Sequence, residues 1–337
     1  MREPLGQPRG AARRSACATS QPPFVVWGAG PAGAAAALAL RQAGELVVLC
    51  DQSVFPRHKV CGEFFSPEIL PVLEELGVAE AFAARRPARV THGELHFDHR
   101  GCRFRLPETA WGLSRFAFDE MLVRAAVERG AMLDREHAAQ PALLAVGRRG
   151  TAPRGRRRFG FKAHFSGSAN DAVELYFFPG GYCGLCPVED GRTNVCGLAD
   201  EALLRRFDFQ MDRLEAVAPR LGARLAPLER ATRWQFTGPL CFGAAAPTGG
   251  GLRAGDAMRF VDPFTGSGLL AAVRTGSWAG EALAGGPDYD ARCRRFYRRQ
   301  ISTTTILRRL AGLDLVGRLA GLLPGPLLYR LTRPDVQ

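Results

Sequence analysis

Two glycine-rich segments carry the clearest chemical signals in the sequence. The first is Gly28-Ala29-Gly30-Pro31-Ala32-Gly33. In this spacing the first glycine permits a tight turn and the second lets backbone approach a pyrophosphate. The third lets a helix pack close to a strand, and free N–H groups at the helix start face the phosphates. Asp51 closes the next apolar run, where a carboxylate accepts hydrogen bonds from an adenosine ribose. The acid favours a free 2′-hydroxyl, hence FAD or NAD. The second segment is Arg253-Ala254-Gly255-Asp256-Ala257, followed by Val261-Asp262-Pro263-Phe264-Thr265-Gly266-Ser267-Gly268-Leu269.

The elements around these segments fit. The apolar run Phe24 to Trp27 opens into Gly28, and Ala34 to Arg41 is an Ala-rich helix former. Leu46 to Cys50 is a second apolar run ending in Asp51. Strand, glycine turn, helix, strand and acid make a complete βαβ unit. Further on, Pro67 to Leu76 reads as helix, His92 to Phe97 as strand, and Ala117 to Arg129 as helix with apolar positions three and four apart. Residues 147–158 read as a Gly/Arg/Pro loop. Phe159 to Leu198 alternates like strands, with turns at Gly180-Gly181 and Asp190-Gly191. Helical spacing returns over 202–230. A strand follows Gly250, and a helix starts at about Ser267.

Composition bounds the class. The chain has 337 residues, 46% hydrophobic and 23% charged, with 39 Gly and 23 Pro. This is a globular composition, which excludes collagen-like and wholly disordered chains. No apolar run approaches the roughly 20 residues of a membrane-spanning helix. Only Lys59 and Lys162 are lysines among 45 basic residues, and the net charge of +12 favours anionic ligands or membrane headgroups. No helix-turn-helix or aromatic-basic array supports a nucleic-acid partner. The nine cysteines (Cys17, Cys50, Cys61, Cys102, Cys183, Cys186, Cys196, Cys241, Cys293) show no framework spacing and read as reduced cytosolic thiols. Cys183 and Cys186 lack a second pair for zinc, so no metal site is expected.

The two glycine segments together resemble the FAD-binding flavoprotein superfamily of aromatic hydroxylases (group A monooxygenases), geranylgeranyl reductases and flavin-dependent halogenases. The resemblance implies that Gly255-Asp256 contacts the ribityl chain and pyrophosphate, and that Pro263, Gly266, Ser267, Gly268 and Leu269 lie against the isoalloxazine. The physics agrees: glycine backbone comes close to a ring, and the following helix N-terminus stabilises negative charge on a reduced flavin. Phe55-Pro56-Arg57-His58-Lys59-Val60-Cys61-Gly62-Glu63 resembles the K-x-C-G segment of the reductase branch, beside the flavin. Trp111-Gly112-Leu113-Ser114-Arg115, with Phe118-Asp119, resembles the segment whose Arg contacts the cofactor. Lys59 and Arg115 are thus candidates to neutralise pyrophosphate or flavin. Cys61 reads as a small residue near the ring, with a reactive thiol as the alternative.

Tyr176 to Pro187 and Asn194 to Leu198 resemble the sheet roofing the flavin in that branch, with Leu185 and Cys186 where reductases carry aromatics. Lys162 and His164 read as core or rim residues, a substrate-facing position being the alternative. Only Gly130 to Leu144 links the helix to Ala145-Val146-Gly147-Arg148, a trimmed connection, and Val146 replaces the superfamily's usual acid.

The expected fold is α/β: a Rossmann-like FAD-binding domain of the glutathione reductase type, an antiparallel-sheet substrate domain and C-terminal helices. The expected boundaries are a disordered 1–22; a discontinuous FAD domain at 23–65, 111–150 and 245–285; a substrate domain at 66–110 and 151–244; and a helical region at 286–337. The expected function is a cytoplasmic FAD-dependent oxidoreductase, with NAD(P)H as transient reductant and a hydrophobic small molecule as substrate. The reaction is reduction of an activated or isoprenoid double bond. Alternatives are a monooxygenase acting on an aromatic or polyketide-type substrate, and a flavin binder with impaired turnover. The basic, apolar-patterned tail from Ile301 to Arg330 leaves peripheral membrane contact open. The oligomeric state is not legible.

Overall fold

The computed structural model describes residues 22–97, 100–136, 139–148, 157–167, 170–240, 243–244, 251–260, 263, 266–267 and 268–298. The expectations for the N-terminal lead-in, for Cys17 and Cys241, and for the tail beyond 298 lie outside these residues. Strand Phe24–Trp27 runs parallel to Val47–Cys50 in the register Phe24↔Val47, and helix Pro31–Gln42 joins them. Gly28 makes the turn at φ +99°, and a Cβ there would sit 2.3 Å from the Ala145 carbonyl oxygen. A Cβ at Gly33 would lie 1.7 Å from the Gly28 oxygen, so only hydrogen fits between helix and strand.

The helix Pro31–Gln42 is buried from Pro31 to Leu40, on every face. An Ala-rich sequence without sidedness suits a helix enclosed on all sides. One enclosing element is the helix Gly268–Leu283, whose Gly276 and Gly280 lie against the backbone of Ala32 and Ala36; Cβ atoms there would come within 2.1 Å and 2.5 Å of those carbonyl oxygens. The helix Arg115–Glu128 is another. It starts two residues earlier than the apolar spacing predicts because Ser114 caps it, its Oγ accepting from the Ala117 N–H at 3.1 Å.

Five parallel strands form one sheet in the order Leu252–Arg253, Leu143–Leu144, Phe24–Trp27, Val47–Cys50, Met132–Asp134. The short connection after residue 130 therefore still supplies two of its strands. The second sheet has nine strands and contains Ala88–Phe97, Arg100–Gly112, Arg158–Ser166, Ala172–Phe178, Gly181–Pro187 and Arg192–Asp200. It is not wholly antiparallel, as the sequence suggested. Ala88–Phe97 and Ala172–Phe178 pair in parallel, which makes the sheet mixed. The chain segments that form these two strands are separated by the helix Arg115–Glu128 and the parallel-sheet strands, so no hairpin dictates their direction. The helices Ile69–Glu75 and Ala79–Ala84, read from sequence with the substrate domain, pack Ile69, Val72, Leu73 and Phe82 into the core around Pro31–Gln42 instead.

Strand alternation sorts the large sheet's residues. In Arg158–Ser166, Phe161, Ala163 and Phe165 enter a core with Tyr176, Leu185 and Leu204, while Lys162 and His164 share the opposite face. Cys183 and Cys186, three apart on one strand, fall into different clusters and do not converge as a ligand pair. Residues 289–298 are helical, and Phe296 from this segment is fully buried against Trp278 and Tyr297.

Candidate active site between the sheets

A cavity of about 860 Å³ opens between the two sheets, within the ~300–1,000 Å³ usual for small-molecule sites. One end is built from the glycine loops. Gly28, Gly30, Pro31 and Ala32 line it. At Gly30 an added Cβ would meet nothing nearer than the Arg115 Nη2 at 3.8 Å, so the helix N-terminus there faces open space. Gly33 does not reach the wall; its part is the close packing under Gly28. Asp51 lines the same end and accepts from the Ala29 N–H at 2.9 Å and the Ser53 N–H at 2.9 Å, with an ion pair to Arg57 at 3.0 Å. Burial raises its pKa, but these backbone donors and Arg57 together outweigh burial and hold it below the usual range. The acid thus pins the glycine loop from the next strand as well as facing the cavity.

Cations gather here. Arg115, Arg148, Lys59 and Arg57 all line the cavity. Arg115 is clamped by Asp119, at 2.6 Å and 2.7 Å through two parallel hydrogen bonds. Burial opposes its charge and Asp119 more than restores it, so the guanidinium stays protonated. Lys59 leaves much of its surface exposed at the rim, and the partial enclosure of its ammonium, with Arg57 and Arg115 nearby, lowers its pKa.

The second glycine segment forms the facing wall: Gly255, Asp256, Pro263, Gly266, Gly268 and Leu269 line the cavity. Residues 261–262 and 264–265 lie outside the described set. Burial pushes Asp256 up to about 6 against the pull of Arg115, Arg148 and Lys59. Ser267, between Gly266 and Gly268, is fully buried, and its carbonyl starts the helix by accepting from the Ala271 N–H at 2.9 Å.

The K-x-C-G segment runs along the cavity, with His58, Cys61 and Glu63 in its wall. Burial raises the Cys61 thiol, away from the thiolate that a nucleophile needs. Glu63 is the residue sequence reasoning missed. It is fully buried, in the left-handed region at φ 56°, and accepts from the Arg115 N–H at 2.6 Å, from His164 Nε2 at 2.6 Å and from Lys162 Nζ. Burial raises its pKa, but Lys162 and His164 win and hold it ionised. Lys162 and His164, each 1% exposed, are core residues. The available signal was the alternation that puts both on one strand face, but the partner lies almost a hundred residues away.

The other end of the cavity is apolar, walled by Leu95, Phe104, Leu106, Val173, Leu185 and Leu198. Among the described residues, Glu94, His96 and Glu174 are close enough to share a cation, but Arg103 and Arg224 already hold the two carboxylates. No described helix is long and apolar enough to cross a membrane.

Residues 23–155 match the FAD binding domain family. Digeranylgeranylglycerophospholipid reductase 2 of Methanopyrus kandleri is 29% identical across 82% of this chain and 80% of its own length. Menaquinone reductase of Mycobacterium tuberculosis is 34% identical over 114 residues, 32% of this chain and 28% of that protein; the matched stretch thus spans little more than a quarter of the mycobacterial relatives. Among solved structures, a triple mutant of the flavin-dependent brominase Bmp2 superposes with a TM-score of 0.73 at 20% identity, over 92% of this chain and 93% of its own. A flavoprotein/dehydrogenase from Cytophaga hutchinsonii gives 0.74 at 17% identity, covering 92% of each chain. Residues 23–155 thus match an FAD binding domain, and the solved flavoproteins share the chain's fold. The site fits that cofactor: an open helix N-terminus at Gly30 and four cations suit a pyrophosphate, and Asp51 and Asp256 suit sugar and ribityl hydroxyls.

Proposed function

We propose that the protein is an FAD-dependent reductase that uses NAD(P)H as electron source to saturate an activated or isoprenoid double bond of a hydrophobic small molecule. The observation that carries this reading is the continuity of one cavity from the cation-rich glycine loops to an apolar sheet face. The similarity to an isoprenoid-lipid reductase over most of both chains supports the substrate class. Bound and reduced, the flavin supplies a hydride. The chain's residues do the rest: Gly28 to Ala32 and the cations seat the phosphates, Asp51 and Asp256 orient the sugars, and the apolar end excludes water from the double bond.

The test uses the full chain loaded with FAD, reduced anaerobically with NADPH, then given a naphthoquinone carrying a geranylgeranyl chain. The expected product has gained hydrogen at a carbon–carbon double bond, read by mass spectrometry. An oxygen-containing product formed only on admitting air would replace this reading with that of a monooxygenase. No reduction of bound FAD by NADPH or NADH would remove the proposed reductant.

A further inference from the structure

We propose that His58 and His164, held by Glu63 with Lys162 as counter-charge, form a proton relay that ends at His58 on the cavity wall and delivers a proton to the bound substrate. This rests on the reductase reading above. The geometry is continuous. The Glu63 carboxylate binds Lys162 Nζ through one oxygen and His164 Nε2 at 2.6 Å through the other. The second imidazole nitrogen, His164 Nδ1, is buried with no hydrogen-bond partner among the described residues. The His58 ring lies edge-on to His164, 5.3 Å between centroids with no direct hydrogen bond, so a proton passes between them through one bridging water. His58 is fixed by stacking on Phe116 at 4.8 Å, and it lines the cavity together with Glu63.

A buried ion cluster is a costly way to join a loop to a sheet, since apolar residues of similar volume hold such contacts as well or better. Set in a cavity wall, it marks a functional group instead. The chemistry needs one. Hydride addition to one carbon of a polarised double bond leaves an electron pair on its neighbour. A new C–H bond forms there as an N–H bond of the His58 imidazolium breaks; the buried His164 returns a proton to His58 through a bridging water, and water at the cavity, onto which His58 opens, restores the proton of the pair and leaves as hydroxide. The groups facing His58 are Lys162 and His164 from one strand, Arg192 from the next, Glu63 from its own segment, and the uncharged Phe116 ring from the helix. Burial first, then Lys162, His164 and Arg192, make its imidazolium a stronger acid than a free histidine, with Glu63 opposing. His58 is the catalytic donor, and Glu63 and Lys162 are positioning residues.

The test has two readouts on the full chain. Nuclear magnetic resonance of the His58 ring without flavin follows it through pH in the wild type and in His164→Gln. The relay predicts that His164→Gln raises the His58 midpoint. In the FAD-loaded enzyme, the relay predicts that His58→Gln slows reoxidation of reduced flavin by the geranylgeranyl naphthoquinone about 10²- to 10⁴-fold relative to its own reduction by NADPH. It also predicts a wild-type rate that falls with rising pH. A His58 midpoint unmoved by His164→Gln, or an unchanged ratio of the two half-reactions in His58→Gln, overturns the relay. If the wild type binds no FAD or does not reduce the probe, the reductase reading falls, and the midpoint shift seen by magnetic resonance decides the relay by itself.

Discussion

Glu63 and Asp256 are two carboxylates in one cavity wall with opposite electrostatics, and each makes a separate prediction. Lys162 and His164 hold Glu63 below its ordinary value of 4.5 despite its burial. Its contribution to stability is therefore present above that value and is lost as pH falls through the depressed one. Glu63→Gln leaves the Lys162 ammonium buried against a neutral amide, and urea unfolding should show a loss of about 3–5 kcal/mol. A change within experimental error would mean that the cluster is dispensable to the fold. For Asp256 the sign reverses. Burial raises it from 3.8 to about 6, so the folded state holds the proton more tightly, and stability falls as pH rises between those values. Thermal melts of the flavin-free protein should lose that slope in Asp256→Asn. A variant that keeps the wild-type slope would assign it to another group.

At the scale of elements, the glycines do two kinds of work that substitution separates. Gly276 lets the helix Gly268–Leu283 touch the backbone of Ala32, and a Cβ there would lie 2.1 Å from a carbonyl oxygen. Gly276→Ala should therefore destabilise the fold by about 1–3 kcal/mol, seen as a lower Tm. At Gly30 the space is open, so Gly30→Val should fold with a near-native Tm yet bind FAD at least about 10-fold more weakly, a cost of about 1.4 kcal/mol. Equal effects of both on Tm would contradict this division. The first βαβ unit was legible because its signals are local: apolar run, glycine spacing, Ala-rich helix and acid sit within thirty residues. The parallel pairing of Ala88–Phe97 with Ala172–Phe178 was not, because pairing direction between distant strands leaves no mark on either strand's own alternation.

For the molecule as a whole, the site is an assembly of distant pieces. Asp51, Arg115, Asp256 and Glu63 come from four separate segments and meet only because the parallel sheet and the large sheet close on each other. Asp51 was a candidate from the βαβ spacing, and Arg115 and Asp256 from motifs that the resemblance places beside the cofactor. Glu63 ended a quoted motif, but its ionic partners were visible only in three dimensions. The shortened link after residue 130 raised the prospect of an impaired domain. Its strands Met132–Asp134 and Leu143–Leu144 nevertheless complete the parallel sheet beside the glycine turn. The central claim is thus that this cavity holds FAD in a form that electrons can reach. The most direct measurement is the absorption spectrum of the purified full chain with FAD after removal of free cofactor, followed by anaerobic NADPH. The account predicts retained flavin bands that bleach on addition of NADPH. A colourless protein that takes up no FAD would contradict it.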